Sequence, residues 1–184
     1  MSQMRNGLLF GLALAALAPA VQAATLNGAT LSASYRYPDA GTVYPLATPT
    51  GPFVVGAGVD GVIDVEGVTQ VLLDFDDNTL TVTLNTVLSS PTWTNTAFNG
   101  VRIELESAGS FSSFALASSS FAPIETSFEA GALLIDWGGA TYMDGSSAVF
   151  DVGFDVAPVP LPAALPLLGV GLGSIAMLRR RRAR

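Results

Sequence analysis

Two pairs of carboxylates stand at spacings that acid–base catalysis uses. Glu104 and Glu106 are two residues apart, so on a β-strand they share one face with about 7 Å between their Cα atoms. That separation suits the two carboxylates of a glycoside hydrolase. Asp151 and Asp155 are four residues apart on a second predicted strand. Solubilising charges on the wet face of a sheet produce the same spacing, so both interpretations stay open.

A third acidic group has the chemistry of a calcium site. Asp74, Asp76 and Asn78 alternate along the chain and offer the hard oxygen ligands that Ca²⁺ prefers. An EF-hand loop would need glycine and glutamate where the chain has Thr79 and Asn85. A hairpin turn explains the same segment without a metal. Ca²⁺ is therefore the one candidate cofactor, with a plain hairpin as the alternative.

Aromatic side chains suggest a further kind of site, a platform on which sugar rings stack. Trp93 and Trp137 are the candidate ligand-binding residues, and three tyrosines could complete the platform: Tyr35, Tyr44 and Tyr142. Core packing is the alternative for all five residues. It is favoured most for Trp137, which follows the apolar residues 133–135.

Composition excludes several classes of chemistry. The chain of 184 residues has no cysteine, histidine or lysine, which removes thiol nucleophiles, disulfides, imidazole metal sites, Schiff bases and the usual base of a serine triad. Residues 24–157 hold all 15 carboxylates against only Arg36 and Arg102, a net charge of −13. A domain so acidic repels nucleic acid. The sequence predicts no nucleic-acid partner and no enzymatic activity.

The elements that position these groups are predicted to be β-strands. Apolar and polar residues alternate with period two in four segments, residues 31–37, 79–84, 101–106 and 150–156. Turn signals separate the strands at residues 38–41, 76–78, 99–100, 138–139 and 144–145. The pattern predicts an all-β domain over residues 24–157, an antiparallel β-sandwich of about eight to ten strands in jelly-roll or immunoglobulin-like order.

The first 23 residues have the composition of a cleavable signal peptide. Arg5 supplies a positive charge, residues 7–18 form an apolar run, and residues 19–23 are mostly small. The pattern predicts export through the Sec translocon and cleavage by signal peptidase between Ala23 and Ala24. A retained membrane anchor is the alternative, but the run is shorter than the ~20 residues of a spanning helix.

Residues 158–184 have the composition of a single membrane span. Residues 161–178 carry no charge, and 18 residues of helix reach roughly 27 Å, enough for a thin hydrocarbon core. A cluster of five arginines follows this stretch: Arg179, Arg180, Arg181, Arg182 and Arg184. Because arginine clusters stay on the cytoplasmic side, this segment is predicted to stop transfer with the acidic domain outside.

The same segment resembles a known sorting signal. Val159, Pro160, Leu161, Pro162 and Ala163 match, letter for letter, the VPLPA variant of the bacterial PEP-CTERM class, and an apolar stretch and arginine cluster follow in the order that class shows. The resemblance implies recognition of this motif by an exosortase, a multi-spanning membrane protease with a cysteine nucleophile. Residues 53–59, 135–139 and 150–152 also resemble the β-rich extracellular domains that precede such tails.

These features together predict an exported protein of the cell envelope, anchored in the membrane before processing and then located at the cell surface or in a biofilm matrix. Its predicted role is structural or adhesive. An extracellular carbohydrate-binding module that takes polysaccharide is the alternative, with a carboxylate glycoside hydrolase less favoured.

Overall fold

The computed structural model describes residues 25–156, and within them it has eleven β-strands and no helix. The strands are β1 (Thr30–Arg36), β2 (Ala47–Thr48), β3 (Thr50–Val54), β4 (Gly61–Val65), β5 (Thr69–Asp76), β6 (Thr79–Thr86), β7 (Gly100–Leu105), β8 (Ser110–Ser119), β9 (Glu125–Glu129), β10 (Ala132–Asp136) and β11 (Ser146–Asp155). The predicted signal peptide, its Ala23–Ala24 cleavage site and the C-terminal segment lie outside the described residues.

The strands form two sheets. One has five strands in the order β3-β1-β7-β10-β9, and the other has six in the order β2-β4-β5-β6-β11-β8. Every pairing between named strands is antiparallel. The structure confirms the predicted all-β class with two antiparallel sheets, consistent with a β-sandwich.

Alternating burial explains how the two sheets meet. Along β1 the side chains of Leu31, Ala33 and Tyr35 are buried while those between them are half-buried. The same alternation runs along β6 and β11. Most buried apolar residues of both sheets belong to one hydrophobic cluster, while Ala132 and Leu134 of β10 pack with Phe98 in a second, small one. Apolar area removed from water is the main favourable term in folding, and this shared core joins the sheets.

Two details of the sequence prediction differ from the structure. There are eleven strands rather than eight to ten, because β2 has only two residues and four of the five residues of β9 are exposed, so neither shows alternation. Asn99 and Gly100 were predicted to form a turn. Instead Gly100 begins β7, and Asn99 is 4% exposed. The turn prediction was wrong because the Asn side chain is used in a long-range hydrogen bond rather than in a local turn.

The two ends of the sheets differ. At the end that we call the cleft end, residues 37–46, 66–68, 87–99 and 137–145 connect the strands. At the other end, the hairpin end, residues 77–78 join β5 to β6. The amide of Leu26 and the amide of Val152 donate hydrogen bonds to the carbonyl oxygens of Asp77 and Asn78, each at 2.8 Å. β11 also finishes at the hairpin end, so both limits of the described chain lie away from the cleft end.

Across residues 25–156 we find no helix that is both long and apolar enough to cross a membrane.

Candidate functional site

A cleft of about 240 Å³ opens at the cleft end of the two sheets. Five of its lining residues are aromatic: Tyr35, Tyr37, Tyr44, Trp93 and Tyr142. Five more contribute polar groups: Glu66, Thr69, Thr92, Thr94 and Asn99. Ring surface with a few polar groups around it is the usual composition of a small-molecule site.

A chain of buried hydrogen bonds fixes one side of the cleft. Tyr35 donates its hydroxyl hydrogen to Asn99 Oδ1 at 2.6 Å and accepts one from Trp137 Nε1 at 3.0 Å. The Asn99 side-chain amide donates to the carbonyl oxygen of Thr94 at 2.8 Å. Burial raises the pKa of Tyr35 well above its ordinary value, so this hydroxyl stays protonated and keeps its donor role. The position of the Tyr35 ring is therefore set by both of its hydroxyl partners.

Close backbone contact holds Asn99 in place. Asp136 Oδ1 accepts the backbone N–H of Asn99 at 3.0 Å and that of Gly138 at 2.9 Å. A Cβ atom on Gly100 would lie 1.9 Å from the carbonyl oxygen of Ile135. Only glycine lets β7 approach β10 this closely, which explains locally why an Asn-Gly pair starts a strand here.

A second hydrogen-bond chain fixes the opposite side. Thr69 donates its hydroxyl hydrogen to Thr86 Oγ1 at 2.9 Å, and Thr86 donates to the carbonyl oxygen of Val68 at 3.1 Å. Because the Thr69 hydrogen is used, the hydroxyl of Tyr142, 2.8 Å away, is the donor to Thr69 Oγ1. Burial raises the pKa of Tyr142 as well. Tyr142 in turn stacks against Trp93, with ring centroids 4.8 Å apart and planes 9° from parallel.

Trp93 has an unsatisfied donor. Its ring is also close to Tyr35, at 5.4 Å between centroids, and to Trp137, at 5.9 Å. Among the described residues its Nε1 is the one buried side-chain nitrogen or oxygen without a hydrogen-bond partner. Such an atom costs roughly 1–3 kcal/mol of desolvation. Orphaned buried donors are uncommon in folded proteins, so this one needs an explanation.

Tyr44 and Glu66 form the rim of the cleft. The hydroxyl of Tyr44 donates a short hydrogen bond to Glu66 Oε1, which raises the pKa of Tyr44 to about 12. The Tyr44 ring lies edge-on to Tyr37, with centroids 5.4 Å apart. Tyr37 and Tyr44 are both half-buried, so part of each ring is open to solvent.

The structure brings together all five aromatic residues that were predicted as a platform, but it places the two tryptophans in different surroundings. Trp93 lines the cleft. Trp137 is 1% exposed, is not part of the lining, and has its N–H bonded to Tyr35. Trp137 therefore lies behind the cleft, in the core, because it follows the apolar strand β10. Its N–H helps to position Tyr35, which does line the cleft.

Several cleft residues were not predicted from the sequence. Tyr37, Glu66 and Asn99 each reach the cleft from a different connection between strands. Tyr44 and Glu66 are 22 residues apart in the chain, and Tyr35 and Asn99 are 64 apart. No local signal could have paired them. Only the Asn-Gly dipeptide marked one of these positions, and it indicated a turn instead.

The predicted carboxylate pairs lie away from the cleft. Glu104 is ion-paired to Arg102, at 3.0 Å, and to Arg36, at 3.9 Å. Glu106 Oε1 accepts the hydroxyl hydrogen of Ser32 at 2.6 Å. These five residues lie on the outer face of the five-stranded sheet or directly beside it, where β1 pairs with β7.

The other two predicted acidic groups lie on the six-stranded sheet. Asp151 and Asp155 are exposed on β11. Asp74 is half-buried on β5, Asp76 is exposed at the end of that strand, and Asn78 lies in the turn before β6. In the part of the chain that the structure describes, no group of three or more acidic side chains is arranged to hold a metal ion. Calcium at this hairpin stays a prediction.

The sorting motif Val159–Ala163 and the arginines at 179–182 and 184 lie outside the described residues. Comparison of the chain with protein-family models, with curated proteins and with solved structures gave no match.

Proposed function

We propose that the chain is an exported protein of the bacterial cell envelope or extracellular matrix, sorted through its C-terminal segment by an exosortase-like protease. One observation carries the proposal, the order of features in residues 159–184. The VPLPA string comes first, an uncharged apolar stretch follows, and an arginine cluster ends the chain. A leader with the composition of a signal peptide stands at the opposite end.

Each segment has a stated role in this proposal. The Sec translocon exports the chain and signal peptidase cleaves it after Ala23. Residues 161–178 then hold the chain in the bilayer with the arginine cluster inside, because cationic clusters resist translocation. The motif at residues 159–163 then lies at the outer membrane–water interface, where a membrane protease can cleave it.

The role of the exported domain in this proposal is structural or adhesive rather than enzymatic. Its strands are proposed to follow a jelly-roll or immunoglobulin-like order, since the chain passes between the two sheets repeatedly. β11, the strand that leads towards the C-terminal segment, finishes at the hairpin end. At about 3.3 Å per residue its ten residues extend roughly 33 Å. This supports an arrangement in which the cleft end faces away from the cell.

Substitution within the motif tests the proposal. Pro160→Ala combined with Pro162→Ala removes both prolines of the motif, and Pro158→Ala, just outside it, is the matched control. Intact mass spectrometry of surface-released protein should show a wild-type chain that starts at Ala24 and ends near residues 159–163. The control should behave the same way, and the double variant should keep its tail and stay in the membrane. Release of the double variant at the wild-type length would refute the proposal, as would full-length tails in the wild type.

A further inference from the structure

We infer that the cleft binds one uncharged sugar ring, of the kind that ends a neutral extracellular polysaccharide, and that Trp93 donates a hydrogen bond to it. This inference rests on the cleft alone. It holds or fails independently of how the chain is sorted.

The size of the cleft limits the ligand. Its volume of about 240 Å³ lies below the roughly 300–1,000 Å³ of pockets for drug-sized ligands. One pyranose ring fits such a space, whereas an internal stretch of several sugars does not. The site is therefore suited to a chain end or a free monosaccharide.

The hydrogen-bonding groups of the cleft call for a ligand that both accepts and donates. Trp93 Nε1 is a donor without an acceptor. Glu66 has a second carboxylate oxygen beyond the one that Tyr44 occupies. Tyr37 and Thr94 also line the cleft, and within the described residues neither of their hydroxyl groups is seen in a hydrogen bond. A ring that carries several hydroxyl groups satisfies this mixture, because each hydroxyl is both a donor and an acceptor.

The ring surfaces fit the same ligand. Trp93 is already stacked against Tyr142 and Trp137, so its inferred contribution is the indole N–H, which is buried and lacks an acceptor. Tyr37 and Tyr44 are half-buried and present ring surface at the rim. The C–H face of a sugar packs on such rings while its hydroxyl groups reach the polar lining.

Charge and hydrogen bonding favour a neutral sugar over two other kinds of ligand. A uronic acid would place a carboxylate beside Glu66 in a domain of net charge −13, which is unfavourable. A quaternary ammonium compound would suit the aromatic rings and Glu66. It would leave the N–H of Trp93 without an acceptor, however, and would not use the threonine hydroxyl groups.

The chain contains two tryptophans, which allows a direct test by NMR. The full chain is labelled with ¹⁵N and purified in a detergent without a sugar headgroup, and its two indole N–H signals are assigned with Trp93→Phe. D-glucose, D-galactose, D-mannose and N-acetyl-D-glucosamine are titrated separately to millimolar concentrations. D-glucuronic acid and choline are titrated in parallel.

We expect at least one neutral sugar to shift the Trp93 indole signal saturably and to move the Trp137 signal much less. Trp93→Phe should weaken binding of that sugar about tenfold, the value of one hydrogen bond, with an unchanged circular dichroism spectrum. Tyr37→Phe, a milder change at the rim, should weaken it by a smaller factor.

Three results would overturn the inference. The first is no saturable shift with any of the four neutral sugars. The second is binding of glucuronic acid as strong as that of the best neutral sugar. The third is saturable binding of choline with none of the sugars, which would identify the cleft as an ammonium cage. If Trp93→Phe loses binding because it has unfolded, Tyr37→Phe decides the question instead. Unweakened binding in Tyr37→Phe would then count against the inference.

Discussion

Trp93 and Trp137 contact each other, with ring centroids 5.9 Å apart, yet their indole N–H groups are in opposite states. Trp137 is 1% exposed and donates to Tyr35. Trp93 lines the cleft, and its N–H has no acceptor among the described residues. Both residues looked alike in the sequence, as aromatic candidates for a sugar site. Whether the indole N–H has an acceptor, more than the type of ring, therefore distinguishes a tryptophan that supports the fold from one that is suited to a ligand.

The largest expected effect comes from removing each indole in turn. Trp137→Ala should lower the free energy of unfolding by about 3–5 kcal/mol, because it leaves a cavity in the core. Trp93→Ala should lower the free energy of unfolding by a smaller amount than Trp137→Ala. We expect the difference to be roughly 1 kcal/mol or more, because Trp93→Ala also removes an orphaned donor. Denaturant unfolding of the full chain, followed by circular dichroism, measures both. Equal losses in the two variants would show that the two tryptophans contribute alike to the stability of the fold.

A single oxygen atom tests the network behind Trp137. Tyr35→Phe should lower the free energy of unfolding by about 2 kcal/mol, because Trp137 Nε1 and Asn99 Oδ1 both lose their partner in a buried place. Tyr37→Phe is the matched control. Its hydroxyl has no partner in the described part of the chain, so its effect should stay within about 0.5 kcal/mol. The same denaturation experiment applies, and a Tyr35→Phe variant as stable as the control would contradict the network.

The smallest expected effect concerns the rim and appears only in alkaline solution. Tyr44 has a pKa of about 12 in the folded chain, against about 10 when unfolded. Above pH 10 the folded state holds this proton while the unfolded state loses it, so stability falls as pH rises from 10 to 12. Tyr44→Phe should therefore show a shallower loss of Tm across this range, with parallel curves between pH 7 and 9. A wild-type slope in the variant would show that the hydrogen bond to Glu66 does not hold the proton.

Much of the fold could be predicted because the alternation of apolar and polar residues and the turn residues are local features of the sequence. The alternation in β1, β6, β7 and β11 identified those strands, and the turns at residues 138–139 and 144–145 are present. The cleft could be predicted only in part. The aromatic residues were identifiable by type, but their meeting depends on which strands pair, and period-two patterns carry no information on partners. Asn99 was misassigned because a contact 64 residues away outweighs the local preference of Asn-Gly for a turn.

The two hydrogen-bond chains that hold the cleft both end on backbone carbonyl oxygens, those of Thr94 and Val68. A cleft held in this way would already have its shape before the inferred sugar arrives, so little ordering entropy would oppose binding. A single ring in a small site still binds weakly. If the chain is fixed at the cell surface as proposed, many such domains facing a polymer with many ends would bind together, and the collective attachment would outlast any single contact by orders of magnitude.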